Sequence, residues 1–267
     1  MQVCLPLNEL LKKISNLNYE RISEKIVTFL KNELKTSGLD GYVFGLSGGL
    51  DSSVVASLVS RTASERAFAL VMPNSKVTPQ QDFNDAIELA KRLNIQFHTM
   101  ELADIHSTIV QGLPIDMLAS GNLLARIRMC MLYYYANRKN CLVVGTGDKS
   151  ELLIGYFTKY GDGGADLLPI ASLYKTQVRA IGSYLKLPST ILTKKSGPML
   201  WEKHTAEEEI GMLYEEIDCI LYCLFDLKLS PKSTAKKLNI SLERVEKIRQ
   251  MHIKSAHKRN LPKICKL

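Results

Sequence analysis

A chain of 267 residues, 46% hydrophobic and 23% charged, has the size and composition of one large globular domain. No apolar run reaches the roughly 18–20 residues that span a bilayer, and the N-terminal lysines follow the apolar residues, the wrong order for a secretory signal. Neither a membrane protein nor a secreted one is predicted. Six scattered cysteines without a Cys-x-x-Cys pair indicate free thiols, so we expect a cytoplasmic protein.

Predicted helices and strands alternate along the chain after an amphipathic helix at 19–34. Strands are predicted at 41–46, 66–72, 95–101 and 141–145. Helices are predicted at 52–61, 79–93, 121–137, 175–185, 207–225, 231–238 and 241–256. This alternation predicts an α/β fold, a doubly wound parallel sheet with N- and C-terminal helical segments, with ligands at the carboxyl ends of the strands.

The first predicted strand ends in a glycine-rich turn, Ser47-Gly48-Gly49-Leu50-Asp51-Ser52. Glycines let backbone N–H groups approach an anion, and the helix that follows adds partial positive charge, so this turn is suited to phosphate. No lysine follows the glycines, which excludes a Walker A loop. An acidic Asp51 beside phosphate requires a divalent cation between them, which favours Mg-ATP held at its pyrophosphate end. The alternative is a tight strand-to-helix turn without a ligand.

A second polar loop follows the fourth predicted strand, with the sequence Gly145-Thr146-Gly147-Asp148-Lys149-Ser150-Glu151. The carboxyl ends of parallel strands meet at one edge of a sheet, so we expect Asp51 and Glu151 to share a Mg²⁺ ion. Taken alone, Glu151 also fits an exposed helix residue. The next run, 155–166, has three glycines in four positions together with aspartates, a lysine and aromatics, a composition that suits a ligand-binding loop.

The Ser-Gly-Gly-x-Asp-Ser turn resembles the signature of the N-type ATP pyrophosphatases. The block 145–175, and above all Phe-Thr-Lys-Tyr-Gly-Asp-Gly-Gly-x-Asp at 157–166, resembles the NAD synthetase family. Supporting matches lie at 121–122, 125–129, 200–201 and 257–259, so the resemblance covers about residues 40 to 260. It implies a Rossmann-like, adenine nucleotide alpha hydrolase-like fold. It also implies one NAD synthetase ATP-pyrophosphatase domain over residues 1–267, with a basic helical segment at 228–267.

The activity that the resemblance implies is that of a ligase forming a C–N bond. ATP would adenylate the nicotinate carboxylate of deamido-NAD and release pyrophosphate, and ammonia would then displace AMP to give NAD. At 267 residues the chain leaves no room for a glutaminase domain, so glutamine use would require a separate glutaminase partner. The family also implies a homodimer. We expect neither a nucleic-acid nor a membrane partner. The apolar stretch 129–135 fits either a dimer contact or the core.

The resemblance also implies roles for particular residues. Those for ATP are Gly45, Leu46, Ser47, Gly48, Gly49, Leu50, Asp51, Ser52, Thr146, Lys175 and Gly197. Those for Mg²⁺ are Asp51 and Glu151, and those for deamido-NAD are Arg126, Lys159, Asp166, His257 and Lys258. The catalytic set comprises Asp51, Lys175 and Asp166. Lys175 would neutralise phosphate charge. Asp166, or Asp162 in its place, would help to deprotonate ammonium.

One loop departs from the family pattern. Gly197 stands where NAD synthetases carry a Ser or Thr that contacts ATP, and Ser196 precedes it by one residue. The family's Gln-Thr-Asp-Glu becomes His204-Thr205-Ala206-Glu207 here. The 196–205 loop and the 72–79 loop are both candidate lids.

The C-terminal segment carries most of the net charge of +8: residues 228–263 hold eleven basic and two acidic residues, a net +9. The spacing at 234–248 also fits a helix-turn-helix, so DNA binding is an alternative hypothesis. Two short helices packed at an angle would give the same spacing. A further alternative is a tRNA-modifying ATP pyrophosphatase, although it leaves the 159–166 loop unexplained.

Overall fold

The computed structural model describes residues 7–194, 197 and 205–266. Its strands β1 to β4 span Gly41–Gly45, Ala67–Val71, Gln96–Thr99 and Cys141–Val144. Helices α1 to α6 span Leu7–Ser15, Tyr19–Ser37, Leu50–Ala63, Gln80–Arg92, Ala103–Val110 and Met117–Lys139. Helices α7 to α13 span Lys149–Ile154, Lys175–Tyr184, Ser189–Leu192, Ala206–Ile210, Tyr214–Leu221, Pro231–Leu238 and Leu242–Lys254.

In the described part of the chain the strands form a four-stranded parallel sheet in the order β3-β2-β1-β4. After β1 the chain crosses to β2 on one side, whereas β4 pairs with β1 on the other. The strand order therefore reverses between β1 and β4, and the carboxyl ends of these two strands form the switch point of the sheet. In doubly wound sheets this point is where a ligand binds.

Side chains alternate across the sheet, so each face has its own core. Tyr42 and Phe44 of β1 face one side, where they pack with apolar residues of α2, α3, α4 and α8. Val43 faces the other side, where it packs against Leu124 and Ile127 of α6. Since helices cover both faces, β1, β2 and β4 are apolar along most of their length, whereas the edge strand β3 is largely polar and exposed. The predicted doubly wound sheet is confirmed, with each strand one to three residues shorter than predicted.

A second group of helices packs beside the sheet rather than on it. Its core is formed by α1, α7, α10, α11, α12 and α13, and includes the fully buried Val245 and Ile248 of α13. The helix-turn-helix spacing thus corresponds to α12 and α13, whose apolar faces are buried against α11 and its neighbours. Packing accounts for the spacing of the apolar residues in this segment.

The single helix predicted at 207–225 is wrong, because the chain breaks it at Gly211. There φ is +72°, a left-handed backbone that ends α10 and that glycine adopts without steric cost. A second helix, α11, then leads into a π-helical turn at Tyr222–Asp226. Helices α1, α5, α7 and α9 were not predicted.

Two further findings concern the described residues. No helix among them is long and apolar enough to cross a membrane. The sequence-predicted contacts at Ser196, Leu200, Trp201 and His204 lie outside the described residues.

Candidate active site

The glycine-rich turn connects β1 to α3 at the point where the strand order reverses. Gly48 has φ of +76°, and a Cβ atom there would lie 2.0 Å from the backbone oxygen of Asp82 on α4. Only glycine fits this position, because both the backbone conformation and the close approach exclude a side chain. The hydroxyl of Ser53 donates to the Gly49 oxygen at 2.7 Å, and the Ser47 and Ser52 hydroxyls are 3.0 Å apart. The turn is therefore held in one shape at the start of α3.

Lys175, the first residue of α8, lies beneath this turn and is fully buried. Its ammonium is 2.8 Å from Asp51 Oδ2, 3.0 Å from Asp148 Oδ2 and 2.8 Å from Glu151 Oε1. Asp51 belongs to the first turn of α3, whereas the other two acids belong to the start of α7. The cluster therefore joins the loops that follow β1 and β4. The expected meeting of Asp51 and Glu151 at one sheet edge is found, with a lysine between them.

The start of α7 is held by a reciprocal capping arrangement. Asp148 Oδ1 accepts a hydrogen bond from the Glu151 amide at 2.8 Å, and Glu151 Oε2 accepts one from the Asp148 amide at 3.3 Å. Both acids thereby satisfy amides that lack partners within the helix. Asp148 is fully buried and was missed as a site residue, although a helix N-cap three residues before Glu151 was visible in the sequence.

The electrostatics of the cluster are those of three carboxylates around one cation. Burial alone would lower the pKa of Lys175, but the surrounding carboxylates outweigh it and raise that pKa well above its usual value. Burial raises the pKa of Glu151 well above its usual value, and the neighbouring acids add to this effect. Burial also raises the pKa of Asp148. The cluster therefore has an excess of negative charge that a further cation would relieve.

This donor set fits a divalent metal ion. Asp51 Oδ1 is buried and has no hydrogen-bond partner among the described residues, and the side chains of Asp51 and Glu151 keep about a fifth of their surface exposed. No group of three or more His, Cys, Asp or Glu in the described ranges is arranged to hold a metal by itself. A Mg²⁺ ion here would take its remaining ligands from phosphate and water, as it does at many nucleotide sites.

A cleft of about 980 Å³ opens above the cluster. Its walls include the glycine-rich turn, Thr146, Glu151, Gly197 and Lys258, all of them residues that the sequence assigned to ligands. The end of β2, the face of α6 and the 155–164 loop form further parts of the walls. The cleft therefore lies at the carboxyl ends of the strands, as predicted.

Arg128 lines this cleft and was missed by the sequence analysis, which selected Arg126. Residues two apart on a helix point in different directions, so only one of the two arginines faces the cleft. Ala125, Met129 and Leu132 line the cleft at helical spacing with Arg128, and this periodicity was the available signal. Burial lowers the pKa of Arg128 to about 10, and its Nε lies 3.3 Å from the Met72 oxygen.

Several residues predicted to bind deamido-NAD are not among the residues that line the cleft. Arg126 is exposed and its Nε donates to the Lys159 oxygen at 3.3 Å. Asp166 accepts hydrogen bonds from the Tyr133 hydroxyl at 3.0 Å and the Val143 amide at 2.7 Å. His257 is exposed in a 3₁₀ turn.

Lys258 does face the cleft. Its ammonium donates to the backbone oxygens of Gly155 at 2.8 Å and Phe157 at 2.7 Å, and burial lowers its pKa.

Lys194 also lies in the cleft wall, and the sequence analysis missed it. Its ammonium lies 2.7 Å from Asp82 Oδ1 and 2.6 Å from Asp85 Oδ2, and it donates to the Gly48 oxygen at 2.9 Å. These contacts connect the end of α9 to α4 and to the glycine-rich turn. No short motif surrounds Lys194, so sequence alone carried no signal for it.

The parallel sheet, the glycine-rich turn at its switch point and the acidic pair beside it define an α/β nucleotide-binding protein of the ATP pyrophosphatase type. The family model described as NAD synthase matches residues 22–262. The chain belongs to the NAD synthase family.

Individual relatives are similar over nearly their whole length. The NH3-dependent NAD+ synthetase of Staphylothermus marinus is 48% identical over 259 residues, which is 95% of this chain and 94% of the relative. That of Hyperthermus butylicus is 47% identical over 261 residues, covering 97% and 93%.

Solved structures with the same fold include two close matches. The NMN synthetase of Francisella tularensis has a TM-score of 0.84 and 35% identity, covering 94% of this chain and 100% of that one. The NH3-dependent NAD synthetase of Campylobacter jejuni has a TM-score of 0.80 and 32% identity, with the same coverage.

Proposed function

We propose that this protein catalyses the ATP-dependent amidation of deamido-NAD to NAD with ammonia. The observation that carries the proposal is the position of Asp51 and Glu151, which meet over the buried Lys175 beside a glycine-rich turn in a chain of the NAD synthase family. An acidic site of this kind binds a nucleotide through a divalent cation, whose charge balances both the carboxylates and the phosphates. The enzyme is accordingly a ligase that forms a C–N bond and cleaves ATP to AMP and pyrophosphate.

The chemistry explains why ATP is required. A carboxylate is a poor electrophile because its negative charge repels nucleophiles. An oxygen of the nicotinate carboxylate attacks the α-phosphorus of ATP, the bond to the β-phosphate oxygen breaks, and pyrophosphate leaves. Ammonia then attacks the acyl carbon of the mixed anhydride, AMP leaves with the bonding electrons, and the amide nitrogen loses a proton. The first step converts a poor leaving group into a good one, and the second step expels it.

Different residues of the cleft have different roles in this reaction. The turn from Gly45 to Ser52, with Thr146 and Gly197, holds the ATP phosphates and the adenosine. Asp51 and Glu151 hold Mg²⁺, which when bound neutralises phosphate charge and so stabilises departing pyrophosphate. Lys175 keeps the two acids in place from below. Its full burial supports a positioning role as well as a charge-neutralising one.

The substrate acid binds toward α6 and the 155–164 loop in this proposal. Lys258 and Arg128 supply positive charge in the cleft wall for a substrate that carries a pyrophosphate and a carboxylate. Arg126, Lys159, Asp166 and His257 lie outside the lining of this chain's cleft and bind the dinucleotide only if the site extends beyond one chain.

We propose that a second copy of the chain provides that extension. An exposed apolar patch lies between α5 and the start of α6, formed by Ile109, Leu113, Ile115, Met117 and Leu118. Leu118 also lines the cleft, so the patch is continuous with the site. Exposed patches of this kind mark protein interfaces. Ile115→Glu should therefore shift sedimentation from dimer to monomer and lower activity, whereas Leu261→Glu, also highly exposed, should do neither.

The proposed location is the cytoplasm. Cys130, Cys141, Cys219, Cys223 and Cys265 are free thiols among the described residues. Free thiols are typical of a reducing compartment.

One assay tests the function. Purified protein receives Mg-ATP, ammonium and deamido-NAD, and the expected result is NAD, AMP and pyrophosphate in equal amounts. Absence of NAD, with AMP released only when tRNA is added, would overturn the proposal in favour of a tRNA-modifying enzyme. A steeply salt-dependent affinity for duplex DNA would favour the DNA-binding alternative.

A second acceptor deserves its own arm of that assay, because an NMN synthetase shares this fold at 35% identity. The corresponding substrate is nicotinate mononucleotide, which carries the same carboxylate without the adenylate half. The two acceptors should be compared by kcat/KM. A higher kcat/KM for the mononucleotide would make it the substrate in place of deamido-NAD, and the chemistry would be unchanged.

A further inference from the structure

We propose that Asp218 is a positioning residue for this reaction, which holds the first turns of α7 and α8, and through them Glu151 and Lys175, in their working arrangement. The inference rests on the proposed function and extends it to a residue on α11, outside the cleft. Asp218 is fully buried and does not line the cleft, so it touches neither substrate nor metal.

Both oxygens of Asp218 are used by the two helices that carry the site. Oδ1 accepts a hydrogen bond from the Ser150 hydroxyl at 2.5 Å, and Oδ2 accepts one from the Thr176 amide at 2.9 Å. Ser150 precedes Glu151 and Thr176 follows Lys175. The Ser150 oxygen also accepts a hydrogen bond from the Lys175 amide at 2.9 Å. The chain of contacts therefore runs from α11 to the residues on either side of the acidic cluster.

A carboxylate is an unusual choice for this place, because burying one without a cation is costly. No lysine, arginine or histidine nitrogen of the described residues forms an ion pair with Asp218. Its compensation comes from a hydroxyl and from the first turn of α8, where amides lack helical partners and carry partial positive charge. An asparagine would replace one of the two acceptors with a donor, so the Ser150 hydroxyl could no longer donate to this side chain and would have to accept from it.

Loss of Asp218 should change the geometry of the acidic cluster. Glu151 and Lys175 are 24 residues apart, and their helices are joined by the Lys175–Glu151 and Lys175–Asp148 ion pairs and the Ser150 hydrogen bond. Lys149 of α7 also donates its amide to the Leu173 oxygen, just before α8, at 2.8 Å and places its ammonium over the Tyr174 ring. Without Asp218, Ser150 loses its acceptor and the Thr176 amide is left buried without one. Shifts of about 1 Å at such a site reduce turnover by about 100-fold.

The test compares Asp218→Asn and Ser150→Ala with Cys219→Ala. Cys219 is the next residue of α11 and is equally buried, but its thiol faces the Leu7 oxygen rather than α7 or α8. Both test variants should lower kcat by about 10- to 100-fold and raise the KM for Mg-ATP, with the KM for deamido-NAD within about twofold. Cys219→Ala should lose stability without this fall in kcat or rise in the KM for Mg-ATP. The double variant should lose no more turnover than the worse single variant, because the two residues act as one unit.

Equal losses of turnover in Asp218→Asn and Cys219→Ala at matched folded fraction would overturn the proposal. If Asp218→Asn does not fold, Ser150→Ala decides, and normal kinetics in that variant would also overturn it.

A wild-type protein that forms no NAD would instead refute the proposed function. In that case the increase in melting temperature caused by Mg-ATP still tests Asp218. We expect this increase to be smaller in Asp218→Asn than in Cys219→Ala, and an equal increase would count against Asp218.

Discussion

Lys175 and Asp51 are 124 residues apart in the chain, and their Nζ and Oδ2 atoms are 2.8 Å apart in the structure. The contact joins the first turn of α8 to the first turn of α3, directly beneath the glycine-rich turn. Asp148 and Glu151 complete the surroundings of the same ammonium. The stability of this part of the fold and the charge of the site therefore depend on one buried lysine.

Replacing that lysine should affect both properties. Lys175→Met leaves three carboxylates without their cation, and breaking a buried ion pair in this way costs about 3–5 kcal/mol. We expect a lower free energy of unfolding in urea and loss of NAD formation. Arg249→Met is the control, because it removes an exposed i,i+3 pair with Glu246 and should change neither property measurably. Near-normal turnover in Lys175→Met would contradict the role of the cluster.

Loss of one of the two acids that we propose to hold Mg²⁺ should stop the first step of the reaction. Asp51→Asn keeps the size of the side chain but removes the charge that balances Mg²⁺, so turnover should fall by at least about 100-fold. The melting temperature without ligand should change little. Asp104→Asn, an exposed acid in the first turn of α5, serves as the matched variant and should retain activity. Normal pyrophosphate release by Asp51→Asn would remove Asp51 from the metal site.

The glycine-rich turn offers a test of close packing. Gly48→Ala forces a positive φ on alanine and places its Cβ against the Asp82 oxygen, whereas Gly38→Ala has a similar φ of +68° and nothing within 4 Å. The backbone strain alone costs about 1–2 kcal/mol, and both variants should show it. Only Gly48→Ala should raise the KM for ATP, by about tenfold or more, since only there must the turn move. Equal KM values in the two variants would show that the turn does not hold ATP.

The pH dependence of stability should show the titration of the Asp218 carboxyl. Burial raises the pKa of Asp218 to about 7, whereas the same carboxyl in an unfolded chain titrates near about 3.9. Between these values the folded state holds the proton and the unfolded state does not, so stability falls as the pH rises from about 4 to about 7 and levels off above.

Asp218→Asn lacks this titration. The melting temperature of the wild type minus that of Asp218→Asn should therefore decrease across this window. Asp104→Asn should run parallel to the wild type. A constant difference between wild type and Asp218→Asn would show that Asp218 is ionised throughout.

The sequence predicted the strands, the parallel sheet that they form and the two loops that meet at the switch point. These predictions succeeded because they depend on local patterns: an apolar strand, a turn that only glycine permits, and a helix that follows. The interruption at Gly211 was missed because a single glycine within an apolar helical pattern carries no local sign of its φ. Arg126 came from the family resemblance, and only the packing of α6 shows that Arg128 lines this chain's cleft.

By itself, then, the sequence determined the fold class, the glycine-rich turn and the approach of Asp51 to Glu151, since parallel strands bring the loops at their carboxyl ends to one edge of the sheet. Only the tertiary structure decided that Lys175 lies buried between these acids, that Asp148 joins them, and that Asp218 supports the cluster from α11. The reason is physical: burial and hydrogen bonding across segments tens of residues apart follow from how the helices pack, and no spacing along the chain records it.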